Sequence, residues 1–202
     1  MFRSILIWAA LATAVAIPTV AAALSPQLQW RQPIYIAAGF AGVVALGLLL
    51  VQPLLIGGSL PGLSPIATRR AHRWIGGLLS AAVALHVGAL WLTSPPDVID
   101  ALLFQSPTPF SAWGVIAMWA TFAAATLAAL RRRLRLRPRT WRLAHTLLVG
   151  IVVACTIVHA ILIEGTMETI TKVALCLLVL IATLKAIADT WGWLRTRRRA
   201  AA

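Results

Sequence analysis

The sequence predicts an all-α fold, a polytopic six-helix transmembrane bundle, and three observations predict it. Hydrophobic residues make up 60% of the chain and charged residues 11%, with a mean hydropathy of +0.89, too apolar for a soluble domain. A spanning helix needs about 20 mostly apolar residues, and runs of that length recur almost end to end. The cations collect in alternate connections, as they do when loops lie on alternate sides of a bilayer. The runs leave no room for a soluble domain, so residues 1–202 read as one membrane domain.

The first span, 5–24, follows Arg3 and ends in the small residues "VAAALS". A cleaved signal peptide has a similar plan but an apolar stretch of only about 7–15 residues. The longer run from Ile5 reads as an uncleaved helix. The second span, 33–56, carries Pro53, and the first carries Pro18, both placed where proline kinks a helix. The third, 72–92, starts among Arg69, Arg70 and Arg73. It leads into the longest loop, "TSPPDVIDALLFQSPTPF", in which Pro95, Pro96, Pro107 and Pro109 bracket "DVIDALLF" as a short interfacial helix. The fourth span, 110–130, is joined by "RRRLRLRPR" to the fifth, 141–163, and "RTRRR" follows the sixth, 170–192. Trp8, Trp30, Trp74, Trp91, Trp113, Trp141, Trp191 and Trp193 lie near span ends, as an aromatic belt requires.

A net charge of +13 raises the question of nucleic acid, above all for residues 131–139. Its distribution answers for topology and contact with anionic lipid instead, with no nucleic-acid partner. The opposite loops hold only Arg31 and Lys172 as cations, beside Asp97, Asp100, Glu164 and Glu168, which read as a solvated surface. The pattern predicts a multi-pass protein of a bacterial inner membrane with both termini cytoplasmic. Cys155 and Cys176 lie inside predicted helices without C-x-x-C or zinc-like spacing, so apolar packing is their reading.

The informative feature is an internal repeat. "HRWIGGLLSAAVALH" and "HTLLVGIVVACTIVH" have equal length and contain all four histidines, His72 with His86 and His145 with His159. Both carry Gly at the sixth place, Gly77 and Gly150, and small residues at 81–82 and 154–155. Each first histidine follows an arginine three residues earlier, Arg69 and Arg142. Fourteen residues turn a helix by about 1400°, roughly 40° short of four turns, and advance it by about 21 Å. Both histidines of a pair therefore face one side, near opposite leaflets. The third and fifth spans run in the same direction, so His72 and His145 share one depth and His86 and His159 the other.

An imidazole in the hydrocarbon region is costly unless paired or ligated. Zinc wants four ligands converging at one point, but these converge two by two. A haem iron accepts two axial imidazoles and needs a flat slot between helices, for which Gly76, Gly77, Gly150 and the small residues at 81–82 and 154–155 leave room. The spacing thus predicts two b-type haems between the third and fifth helices, ligated by His72/His145 and His86/His159. Arg69, Arg73 and Arg142 are placed to meet propionates of the cytoplasmic haem, as is Arg70. The absence of C-x-x-C-H excludes covalent attachment. Two such levels make a wire across the bilayer.

With six spans and these pairs on the third and fifth, the sequence resembles the ferric reductase-like transmembrane family. That family includes the membrane domains of ferric reductases and NADPH oxidases, and the haem-binding membrane subunit of the periplasmic methionine sulfoxide reductase system. The resemblance implies haem-ligand roles for His72, His86, His145 and His159. The cytochrome b of quinol–cytochrome c reductases shares the histidine spacing, but six short-looped spans favour the former family. Ascorbate-dependent cytochromes spread their ligands over more helices. Larger members append flavin- and NADPH-binding domains; here no G-x-G-x-x-G or other nucleotide loop is present. Electrons are then expected from a separate flavoprotein, reduced flavin such as FMN, or quinol, and are expected to pass to a periplasmic oxidoreductase or a ferric chelate. The rival readings are a quinol-oxidising subunit, for which Lys185 and Asp189 are pocket candidates, and a non-enzymatic haem-binding protein.

Overall fold

The computed structural model describes residues 1–200, with side chains described for residues 1–190, so the basic run 195–199 and the belt residues Trp191 and Trp193 lie outside the described side chains. Seven helices follow one another: α1 Phe2–Ala23, α2 Pro33–Ile56, α3 Pro65–Thr93, α4 Pro95–Leu102, α5 Ser111–Leu130, α6 Pro138–Leu162 and α7 Thr169–Ala200. All but α4 contain a stretch long and apolar enough to cross a membrane. The chain is a multi-pass, all-helical protein.

Helix starts follow from local chemistry. Proline stands at the beginning of α2, α3, α4 and α6, where its missing N–H leaves no helical bond unmade. Ser64 caps α3 by accepting from the N–H of Ala67 at 3.2 Å. Glu168 caps α7, accepting from the N–H of Ile170 at 2.7 Å and of Thr171 at 2.9 Å, and these donors hold its carboxyl below the usual carboxylate range. α3 begins seven residues before the expected start, and α6 three. Hydropathy marks the part of a helix that tolerates lipid, whereas Ser64-Pro65 and Pro138 mark where the helix begins. The helix expected from "DVIDALLF" is α4, shifted two residues toward the N-terminus because Pro95 starts it. Pro18 and Pro53 sit inside α1 and α2, which continue through them.

Packing is organised in two hairpins. α2 lies along α3 and α5 along α6, the two most extensive helix contacts, while α7 joins α2 to α6 and α1 rests at the periphery. α3 and α6 scarcely touch. The core is Leu46, Leu49 and Leu50 of α2, Leu79 and Ala82 of α3, Val152 and Val153 of α6, and Leu175, Cys176 and Val179 of α7. Leucines and isoleucines such as Leu78, Leu85, Leu147, Ile151, Leu177 and Ile181 face outward. With lipid as apolar as leucine, such bundles are held by close van der Waals fit and small residues at contacts. Gly47 shows this where α1 crosses α2, since a Cβ there would meet Val15 at 3.1 Å. Cys155 and Cys176 are buried and free, packed as apolar residues.

Candidate functional site

The core residues of α3 and α6 lie between the two histidine positions of each helix. Above and below this apolar layer the structure brings the four histidines together in two couples. The His72 and His145 ring centres are 6.4 Å apart at an interplanar angle of 77°. Those of His86 and His159 are 6.5 Å apart at 82°. First pairs with first and second with second, so α3 and α6 run parallel.

At one level, that of His86 and His159, each ring is held from behind by backbone at the start of its hairpin partner. The Nδ1 of His86 lies 2.7 Å from the carbonyl oxygen of Ala38 on α2, and that of His159 lies 2.9 Å from the carbonyl oxygen of Phe110, just before α5. A carbonyl only accepts, so Nδ1 carries the proton and Nε2 is left with its lone pair free. Four residues beyond each carbonyl stands a glycine. A Cβ at Gly42 would come within 3.1 Å of His86 Nδ1, and one at Gly114 within 2.7 Å of His159 Nδ1. Phe110 also meets the His159 ring edge-on at 5.8 Å.

The other level repeats this plan loosely. The carbonyls of Gln52 and Ala124, fourteen residues after Ala38 and Phe110, neighbour His72 and His145. They fall outside hydrogen-bonding geometry, and Nδ1 of both rings is buried without a partner. The Gln52 amide instead donates to the carbonyl of His72 at 3.3 Å, and its own oxygen is buried and unpartnered. Trp141 stacks on His145 at 5.3 Å and 10°, with its indole N–H buried and unpaired, and the Arg131 guanidinium lies over its ring at 5.0 Å.

Other candidates behave differently. Arg69, Arg70 and Arg73 are exposed, and Arg142 folds back to donate from Nε to the carbonyl of Pro138 on its own helix at 3.2 Å. Gly76 packs on the Gln52 amide, whereas a Cβ at Gly77 or Gly150 would meet nothing within 4 Å. Lys185 pairs with Asp189 at 2.6 Å on an exposed face, and Asp189→Ala is expected to change unfolding free energy by under about 0.5 kcal/mol in a detergent melt. Sequence reasoning missed Gly42, Gly114, Arg131 and the site contact of Trp141. The signal for the glycines was present as a spacing equal to within one residue, Gly42 and Gly114 standing 44 and 45 residues before His86 and His159.

These features define a multi-pass membrane protein in which two parallel helices face each other through paired imidazoles. A family model described as the ferric reductase like transmembrane component matches residues 38–156, more than half the chain, and the chain belongs to that family. The match runs from Ala38 through His72, His86 and His145 and stops three residues short of His159. Membership points to a role in transmembrane electron transfer. No curated protein and no solved structure matches the chain.

Proposed function

We propose that the chain is a dihaem b-type cytochrome that passes electrons across the inner membrane, from a cytoplasmic-side donor to a periplasmic acceptor. The observation that carries this reading is the double pairing of imidazoles. The ring centres stand only 6.4 and 6.5 Å apart, and at the His86/His159 level the backbone takes Nδ1 and leaves Nε2 free as a metal ligand. Among the described residues no three His, Cys, Asp or Glu converge, so each level offers two axial ligands and no equatorial ones. A haem brings its own equatorial nitrogens and asks only for axial ligands. The weak backbone contact between α3 and α6 is what a slot for a flat group requires.

His72 with His145, and His86 with His159, would hold the haems, which would supply one-electron redox chemistry there. The protein does the rest. The carbonyls of Ala38 and Phe110 fix the tautomer of His86 and His159 and increase their basicity toward a metal. Leu79, Ala82, Val152 and Val153 keep water from the layer between the levels. His72 and His86 are about 21 Å apart along α3, so a single transfer between the two levels would cover that depth. The arginines around 69–73 and 131–142 offer a basic face to an acidic flavoprotein, FMN phosphate or lipid headgroups. The acceptor is a partner oxidoreductase or a ferric chelate.

The direction is tested in sealed vesicles. A flavin reductase with NADH, added outside, should reduce the haems in inverted vesicles and leave them oxidised in right-side-out ones. Equal reduction in both orientations would refute the direction, and reduction by quinol alone would select the quinol-oxidising reading.

A further inference from the structure

Lys172 was expected as a cation of the outer connections, at the very start of the sixth span, and the structure buries it. Its residue is 5% exposed, in the first turn of α7. Nζ donates to the carbonyl oxygen of Ile163 at 2.8 Å, and the N–H of Ile163 donates in turn to the carbonyl of His159 at 3.1 Å. Lys172 is thereby tied to the end of the helix that carries His159, one turn of about 5.4 Å beyond it. Among the described residues no carboxylate lies within 4 Å of the ammonium. Glu168, four residues earlier, is exposed and spends both carboxylate oxygens on the backbone of α7. Arg31, Asp97, Asp100 and Glu164, the other charges of this end, are exposed.

This is an expensive place for a cation. A buried ammonium loses its hydration and has in exchange one carbonyl and the field of the exposed Glu168 carboxylate, which is not in contact with it. It also sits at the positive end of the α7 dipole, which adds to the penalty. Pinning the carbonyl of Ile163 needs only a neutral donor, so the hydrogen bond alone does not account for the charge. In the poorly screened interior its field reaches the adjacent histidine level, while the arginines of the other end are exposed and screened by water. Resting on the dihaem reading above, we infer that Lys172 is a positioning charge that raises the reduction potential of the haem between His86 and His159. The sign follows from charge balance: taking up one electron makes that level more negative by one unit, which a fixed neighbouring cation favours. Lys172 itself is unchanged, and the electron that arrives from the His72/His145 level is drawn outward.

The test is a spectroelectrochemical titration of the purified holoprotein. Lys172→Gln keeps a donor for the Ile163 carbonyl and removes the charge; Lys172→Arg keeps the charge. The glutamine variant should lower the potential of one haem and leave the other unmoved, and the arginine variant should titrate close to wild type. In a His72→Ala background, which retains only the His86/His159 haem, the downward shift should persist; in a His86→Ala background it should vanish. Where the amide disturbs the α6–α7 turn, Lys172→Met should give the same selective shift. Two wild-type potentials in both neutral variants, or an equal shift of both haems, would reduce Lys172 to a structural pin. A wild-type protein that binds no haem would instead overturn the dihaem reading itself.

Discussion

His72→Ala is expected to remove one haem of two and to stop transmembrane transfer, and His145→Ala should remove the same one. The two rings face each other at 6.4 Å, so either substitution halves a bis-histidine site. His86→Ala and His159→Ala should empty the other level, whose rings stand 6.5 Å apart. A same-level double variant should lose little beyond its singles, because the shared site is already broken, whereas His72→Ala with His159→Ala should lose both haems. Haem content, redox titration and circular dichroism of each variant give the readout. If His72 and His86 behaved as one site, the parallel pairing of α3 and α6 would be wrong as a description of the binding sites.

Gly114→Ala should disturb the His86/His159 level nearly as much as losing a ligand. Its new Cβ would lie 2.7 Å from Nδ1 and 2.8 Å from Cε1 of His159, closer than real side-chain contacts come. The ring cannot simply retreat, because Nδ1 is bound to the carbonyl of Phe110 and the ring edge meets the Phe110 side chain. Overpacking of this kind costs about 1–3 kcal/mol, and here it falls on the orientation of a ligand. Gly42→Ala, at 3.1 and 3.3 Å from His86, should have a smaller effect of the same kind, and Gly77→Ala, whose Cβ would meet no protein atom within 4 Å, should leave the His86/His159 level unchanged. The order of effects on haem content and on the reduced spectrum checks the account. Equal behaviour of the Gly114 and Gly77 variants would remove the glycines from the site.

The spans and the histidine couples were legible in the sequence for a simple reason: length, apolarity and a fourteen-residue spacing are one-dimensional quantities that helix geometry converts directly into depth and face. What lay outside that arithmetic came from neighbouring helices. The carbonyls of Ala38 and Phe110 have no side-chain signature, and a glycine such as Gly42 looks like any small residue in a membrane helix until the ring it seats is known. Trp141 sits at a span end, where a belt residue belongs, yet it stacks on His145 because α6 begins at Pro138, a turn earlier than hydropathy suggests. Lys172 was misread for a related reason. It was counted with the outer-loop cations although the sixth span was expected from residue 170, and what hid its burial is the contact of the first turn of α7 with the Ile163 carbonyl at the end of α6. Arg69, Arg73 and Arg142 were expected to meet haem propionates, not the histidines; Arg69 and Arg73 are exposed and Arg142 donates to the Pro138 carbonyl of its own helix, and their role toward a propionate is part of the proposal.

Everything proposed for this chain rests on two histidine levels each holding one haem, and the haem-to-protein ratio of the purified, folded protein tests that most directly. Two b-type haems per chain, with the low-spin reduced spectrum of bis-imidazole iron, are expected. A ratio of one or zero after haem supplementation, with all four histidines intact, would contradict the two-level site.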